Sequence, residues 1–383
     1  MTHTEWRGKE EENPIRKAVK KLFKTRNPYD REKNDPLFLR SIKETTKDLM
    51  QENEAYHTLC KAACFTPDSL LNEQELPKIP VLPTLFLKRN DISTKRKALV
   101  EVTSSGTSGT VSRVNYTFGE LKLLGSTAFR LGKKHGIISL KPTRYLILGY
   151  QPARKNQAVI SKTAFLSTFY APGISRTYAL SYKNGTYHLD LNVIIKKLLK
   201  FSKRKLPVRL IGFPSYTYFL LEQMKKEGKL CQLPKGSKLL LGGGWKQFSD
   251  KEVSKESLYE LVKEVLGVEE KDIHEFFGAA EHPILYCSCK NHHFHIPAYG
   301  KVFIRDVATM EVLPKGEVGL MNFLTPIKSS LPLVSVMTDD LGVLREGSTC
   351  GCGIQTDYFE LLGRVGVEGV KTCSAGAGEY LKG

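Results

Sequence analysis

No stretch of this chain comes near the ~20 consecutive apolar residues that a membrane-spanning helix needs, so no transmembrane segment is expected. Residues 1–12 are polar and rich in acids, unlike a secretory leader, and a cytoplasmic location is the expectation. A Gly-Lys-Ser/Thr ending of the Walker A type is missing, which excludes a P-loop nucleotidase. Internal repeats and low-complexity tracts are absent as well. Acids are scarce: 40 Asp and Glu stand against 58 Lys and Arg, a formal net charge of +18. Such an excess suits nucleic acid, an acidic membrane surface, an anionic substrate or an acidic protein. Clustered cations interleaved with aromatics, the mark of a nucleic-acid binder, are not found, so nucleic acid is not expected as a partner. Read along the sequence, the positive excess is spread over the chain.

What is present fits a globular enzyme. The 383 residues are 41% hydrophobic and 26% charged, enough for a well-buried core in two or more domains or one large α/β domain. Residues 1–30 are charged and expected to fray. Their cluster Arg16-Lys17, Lys20-Lys21, Lys24 and Arg26 alternates with Ile15, Val19, Leu22 and Phe23 as a wet helix face beside a small apolar stripe. Helical spacing of Phe38, Leu39, Ile42, Thr46, Leu49 and Met50 predicts helices to about residue 71. Pro77, Pro80 and Pro83 predict an extended entry segment. Strands are predicted at 100–103, 144–149, 208–212 and 238–241, and helices at 121–135, 191–202, 216–226 and 252–266. That alternation argues for parallel βαβ units, whose ligands collect at the carboxyl ends of the strands. From about residue 300 the pattern turns to β, with strands at 301–304, 318–323, 334–337 and 343–344. The expected division is a helical region at 1–75, a large domain at 76–362 that is β-rich from about 297, and a short arm at 363–383.

The most informative run is Thr103-Ser104-Ser105-Gly106-Thr107-Ser108-Gly109-Thr110-Val111-Ser112-Arg113. Glycines let the backbone turn successive N–H groups inward, which makes a concave anion site. The hydroxyls add short donors and Arg113 adds a permanently charged fork. The run reads as a polyphosphate cradle; the alternative is a Ser/Gly/Thr surface loop.

In company with four later segments, this run resembles the phosphate motif of the adenylate-forming enzymes. Phe276-Phe277-Gly278-Ala279-Ala280-Glu281 is similar to their aromatic-Gly-x-x-Glu element. Gly316-Glu317-Val318-Gly319-Leu320 is similar to their Gly-Glu-hydrophobic segment. Thr338-Asp339-Asp340-Leu341-Gly342 is similar to their Thr-Gly-Asp-Leu, with Asp339 in the glycine place. Gly363-Arg364 is similar to the hinge Gly-Arg. A narrower resemblance, to the acyl-protein synthetases of bacterial bioluminescence, is carried by Ile79-Pro80-Val81-Leu82-Pro83-Thr84, Leu210-Ile211-Gly212-Phe213-Pro214-Ser215, Gly242-Gly243-Gly244-Trp245-Lys246 and Val370-Lys371-Thr372-Cys373-Ser374.

The resemblance implies an α/β adenylating domain whose mobile C-terminal domain is largely missing, since about twenty residues follow Arg364. It implies ATP and Mg²⁺ as cofactors, phosphates on residues 104–109, Glu281 on Mg²⁺, and Asp340 on the ribose. Gly243 and Gly244 would let adenine lie against backbone, with Phe277 on its face. Lys246 or Lys371 would replace the lysine of the missing domain. A fatty or other carboxylic acid would become acyl-AMP. The acyl group would then pass to Cys373, whose thiol Lys371 would activate, for delivery to a reductase or another acyl-accepting protein. CoA or a carrier protein is the alternative acceptor; the remote alternative function for the chain is that of a basic nucleic-acid-binding protein.

The other cysteines point to a metal. Cys287-x-Cys289 and Cys350-x-Cys352, with His292, His293 and His295 after the first pair, suit a structural tetrahedral Zn²⁺. Five residues compete for four places: Cys287, Cys289, His295, Cys350 and Cys352. Similar pieces occur in phenylacetate-CoA ligase-like members of the superfamily. Two disulfides or unligated thiols are the alternatives. Cys60, Cys64 and Cys231 read as core residues.

Overall fold

The computed structural model describes residues 14–94, 100–103, 113–152, 159–183 and 186–364. The chain opens with helices α1 (Pro14–Phe23), α2 (Arg31–Glu52) and α3 (Glu54–Ala62), followed by a two-residue strand β1 (Leu82–Pro83) and helix α4 (Thr84–Arg89). Part of the segment expected to fray is therefore ordered. Val19, Leu22 and Phe23 form an i, i+3, i+4 stripe that is buried, and the Phe23 ring packs 5.3 Å from that of Tyr299. Strands β2 (Val100–Thr103) and β3 (Arg113–Tyr116) make an antiparallel hairpin.

The central unit follows. Its elements are α5 (Phe118–Lys134), β4 (Thr143–Tyr150), α6 (Val159–Leu166), β5 (Gly173–Lys183), β6 (Thr186–Leu189), α7 (Leu191–Ser202), β7 (Val208–Gly212), α8 (Pro214–Lys226), β8 (Lys238–Gly242), α9 (Lys255–Leu266), β9 (Ile273–Phe277) and β10 (Tyr286–Cys287). They build a seven-stranded sheet in the order β10-β9-β8-β7-β4-β5-β6. The five inner strands are parallel, as the alternating pattern predicts. Helix α7 shows why. Asp190 caps its N-terminus by accepting from the Val193 N–H, and Ile194, Ile195, Leu198 and Phe201 recur at helical spacing to face the sheet. These side chains pack with Leu146, Leu210 and Leu239 on one face of the sheet, beside α8 and α9. Tyr145, Ile147, Ile211 and Leu240 point to the other face, against Ile137 and Tyr170. Gly267 ends α9 in the left-handed region, where a side chain would collide with Gln232.

The remaining strands, β11 (Phe294–His295), β12 (Lys301–Arg305), β13 (Val318–Leu324), β14 (Ser335–Arg345) and β15 (Tyr358–Arg364), form a second sheet with β1 paired to β14. Two predicted strands are one, because β14 runs unbroken through Asp339 and Asp340. Helices α1–α3 share a core with this sheet, including Phe38, Ile42, Phe323 and Phe359. Among the described residues no helix is long and apolar enough to cross a membrane.

Candidate functional site

Three strands of the parallel sheet end at one edge with backbone laid bare. Strand β7 ends at Gly212, just before Pro214 opens α8, and β8 ends at Gly242. Gly243 follows with φ of 77° and is exposed with Gly244, around which a side chain would meet nothing within 4 Å. Lys246 starts the next short 3₁₀ turn. An aromatic wall stands beside these glycines: Phe213 with Tyr216 (5.6 Å between ring centres), Tyr218 with Trp245 (5.5 Å) and Phe219 with Phe248 (5.0 Å). Strand β9 ends at Phe277, and exposed Gly278 leads to Glu281.

Glu281 is only 4% exposed, and its Oε1 has no hydrogen-bond partner. An unpartnered buried carboxylate oxygen is costly unless something else meets it. Asp340 on β14 lies within electrostatic reach. Burial pushes the Asp340 carboxyl above its usual range, Arg364 opposes the shift at 3.2 Å, and Glu281 adds to it. Strand pairing places this ion pair, since Asp340 and Arg364 face each other across β14 and β15. The β2–β3 hairpin reaches the same region. The Tyr116 hydroxyl donates to the Ala280 carbonyl at 3.4 Å, and Asn115 exchanges bonds with Ser330. Thr103 and Arg113 are register partners at the far end of the hairpin, with Arg113 exposed. Ser104, Ser105, Gly106, Thr107, Ser108 and Gly109 lie outside the described residues, as do Lys371 and Cys373.

A second cluster sits where β10, β11 and β15 meet. One donor atom each from Cys289, His295, Cys350 and Cys352 lies within 4.8 Å of the others. The Cys289 and Cys350 sulfurs are 3.6 Å apart, close to the ~3.8 Å edge of a tetrahedron with Zn–S bonds of about 2.3 Å. His295 donates from Nδ1 to the Thr356 carbonyl at 2.6 Å, which turns Nε2 toward Cys352 Sγ at 3.1 Å. Backbone N–H groups of Asn291 and Ile354 point at the sulfurs of Cys289 and Cys352, both at 3.4 Å. Burial pushes the thiols of Cys289 and Cys350 up, a cost that a bound cation removes by favouring thiolate. The donor set fits a metal. The described cysteines are free thiols, so disulfides do not occur there.

The sequence model of the family described as acyl-protein synthetase, LuxE, matches residues 17–381. The chain belongs to the LuxE acyl-protein synthetase family. It is 26% identical over 318 residues to the long-chain-fatty-acid–luciferin-component ligase of Vibrio harveyi, covering 79% of this chain and 78% of that one. The ligase of the same name from Aliivibrio fischeri is 23% identical over 298 residues, covering 77% and 75%. A 2-hydroxyisobutyryl-CoA ligase structure, in the postadenylation state with 2-HIB-AMP, superposes with a TM-score of 0.66 over 89% of this chain and 70% of that chain, at 14% identity. The fold is that of the adenylate-forming enzymes, and membership of the acyl-protein synthetase family makes this chain an acyl-activating ligase.

Within this LuxE-family chain, tertiary structure sorts the predicted residues. Glu281, Asp340 and Arg364 come together, and Gly243, Gly244 and Gly278 lie at the sheet edge. Phe277, at the end of β9, is half-buried, and its ring packs among Tyr286, Phe294, Phe323 and Phe359. Cys287 is the candidate left out of the metal cluster. From β10 it pairs with Phe276 of β9, its side chain packs with Tyr170 and Leu240, and burial raises its thiol strongly. Lys88 escaped the sequence reading, and Thr84 entered it only as part of a motif. Thr84 Oγ1 donates to Asp339 at 3.2 Å, and Lys88, 10% exposed, stands 3.8 Å from the same carboxylate. Nothing in local spacing signals a contact between residues 255 positions apart.

Proposed function

We propose that this LuxE-family ligase activates a long-chain fatty acid with ATP in the cytoplasm and carries the acyl group on Cys373. The carboxylate oxygen attacks the α-phosphate and pyrophosphate leaves with the electron pair of the broken P–O bond. The thiolate of Cys373 then attacks the acyl carbon and AMP departs, leaving a thioester for an acyl-accepting protein. The observation that carries this reading is the unpartnered buried oxygen of Glu281 beside Asp340 and Arg364. Glu281 would hold Mg²⁺, a hard cation that takes oxygen ligands and neutralises phosphate charge. Asp340 would accept from the ribose hydroxyls, and Arg364 would hold Asp340 ionised and in place. The exposed backbone at Gly243 and Gly244 suits a flat base, and the Ser/Gly/Thr run 104–109, followed by Arg113 at the start of β3, would take the outer phosphates. Lys246 would meet the charge that develops on the α-phosphate. Cys289, His295, Cys350 and Cys352 would hold one structural Zn²⁺, filling all four positions and leaving none for substrate.

Fatty-acid-dependent exchange of pyrophosphate into ATP tests the first step. Incubation with labelled fatty acid and ATP, followed by hydroxylamine, tests the second. Exchange that survives in Cys373→Ser without label on the protein supports the reading. Label retained in that variant, or acyl-CoA as the sole product when CoA is added, overturns Cys373 as carrier.

A further inference from the structure

Grouped by structural unit, the charge is not spread along the chain as the sequence pattern suggests. Residues 121–221, from α5 into α8, contain 18 Lys and Arg and one acid, Asp190. This quarter of the protein therefore holds +17 of the net +18, and the rest is nearly neutral. Elsewhere many lysines are neutralised locally, for example Lys225 by Glu264, Lys255 by Glu275 and Lys328 by Asp48.

The fold then focuses this excess on one edge. Helices α5 and α7 connect to the strand that follows each, so their C-terminal ends lie at the amino ends of β4 and β7. The Arg144 N–H donates to the Pro207 carbonyl there, and the Thr143 N–H to that of Pro172. Lys133, Lys134, Lys141, Lys203, Arg204 and Lys205 are all exposed on these connections, and none has an ion-pair partner among the described residues. Apolar side chains stand among them. Leu140 is 91% exposed, Phe169 59% and Ile174 57%. Their loops are joined by the bond from the Ser139 N–H to the Tyr170 carbonyl and by the pairing of Thr143 with Gly173. This edge is opposite the one bearing Gly243 and Glu281.

We infer that the amino edge of the parallel sheet docks on an anionic lipid bilayer. Cations alone would suit any polyanion. The acids Glu270 and Asp272 are confined to the β8–β9 end of this edge, and apolar side chains standing out of the cationic part around β4, β5 and β7 suit a layer with charged headgroups above an apolar interior. Docked this way, the protein would present its ligand edge away from the bilayer, toward a partner. The inference is independent of the nucleotide roles assigned above, because it is read without ATP or fatty acid.

The test is sedimentation of the full chain with vesicles of phosphatidylcholine alone and of phosphatidylcholine with phosphatidylglycerol. Binding is expected to the anionic vesicles only, and to fall as salt is raised. Neutralising Lys203, Arg204 and Lys205 together as glutamines should weaken it about a hundredfold. Leu140→Ser should weaken vesicle binding about tenfold and leave binding to immobilised poly-glutamate unchanged. Circular dichroism and the pyrophosphate exchange rate confirm that both variants are folded. No binding of the unaltered chain to anionic vesicles overturns the inference. So does vesicle binding that is as tight in Leu140→Ser as in the unaltered chain, which would mark a plain polyanion site such as one for an acidic protein.

Discussion

The two edges of the parallel sheet differ in almost every physical respect. At the carboxyl ends of the strands the backbone is bare at Gly243 and Gly244, and carboxylates converge from separate elements, with Glu281 after β9 and Asp340 on the second sheet. At the amino ends the surface is cationic and studded with Leu140, Phe169 and Ile174. The contrast teaches that strand polarity assigns the two kinds of work. Strand-to-helix turns expose backbone N–H groups and tolerate glycine, whereas helix C-termini favour cations and deliver them to the opposite end.

The largest expected effect breaks one edge only. Glu281→Gln should lower fatty-acid-dependent pyrophosphate exchange about a thousandfold while vesicle binding stays unchanged. A loss of both would mean that the edges are not separate. Next, Cys350→Ser should take metal content from one ion per chain to none and lower the unfolding midpoint, since metal binding and folding are linked. His293 Nδ1 lies 3.2 Å from Cys350 Sγ, so His293→Ala should weaken metal affinity about tenfold in chelator competition and leave exchange intact.

The pH dependence sharpens the comparison further. In the ribose-binding role proposed above, an ionised Asp340 accepts from both hydroxyls more strongly than the protonated acid, and its carboxyl is raised by burial, so ATP affinity should fall on acidification at a higher pH than for an ordinary carboxylate. Arg364→Gln removes the opposing charge and should move that limb to still higher pH, seen in KM for ATP rather than in kcat. The smallest effect concerns the clamp on Asp339. Lys88→Met should raise KM for ATP about threefold, and Lys88→Arg should restore it.

Much of the α/β unit was legible because its signals are local. Helix α7 was read with its correct ends, and β7 was read at 208–212 from its apolar residues although Arg209 stands among them. Strands β5 and β6 were missed because β6 is the edge strand and β5 lies next to it, and they carry Ser175, Arg176, Thr186 and His188 in place of a buried apolar pattern. Strand β14 was split in two because Asp339 and Asp340 interrupt its apolar pattern, yet ladder pairing on both sides carries it through. Phe277 was assigned to a nucleotide from its motif, while its ring has four aromatic neighbours drawn from β10, β11, β13 and β15.

By itself the sequence determined the order of the chemistry-bearing segments, the α/β alternation and the total charge, since each is a property of neighbours along the chain. Tertiary structure decided the rest. Cys289 and Cys350 are 61 residues apart and meet where His295 pairs with Tyr358 across β11 and β15, while the pairing of β10 with β9 takes Cys287 into the core of the seven-stranded sheet. The gathering of cations at one edge has the same origin. Spacing fixes which face of an element a side chain takes, but only the packing of elements fixes which faces and which ends lie side by side.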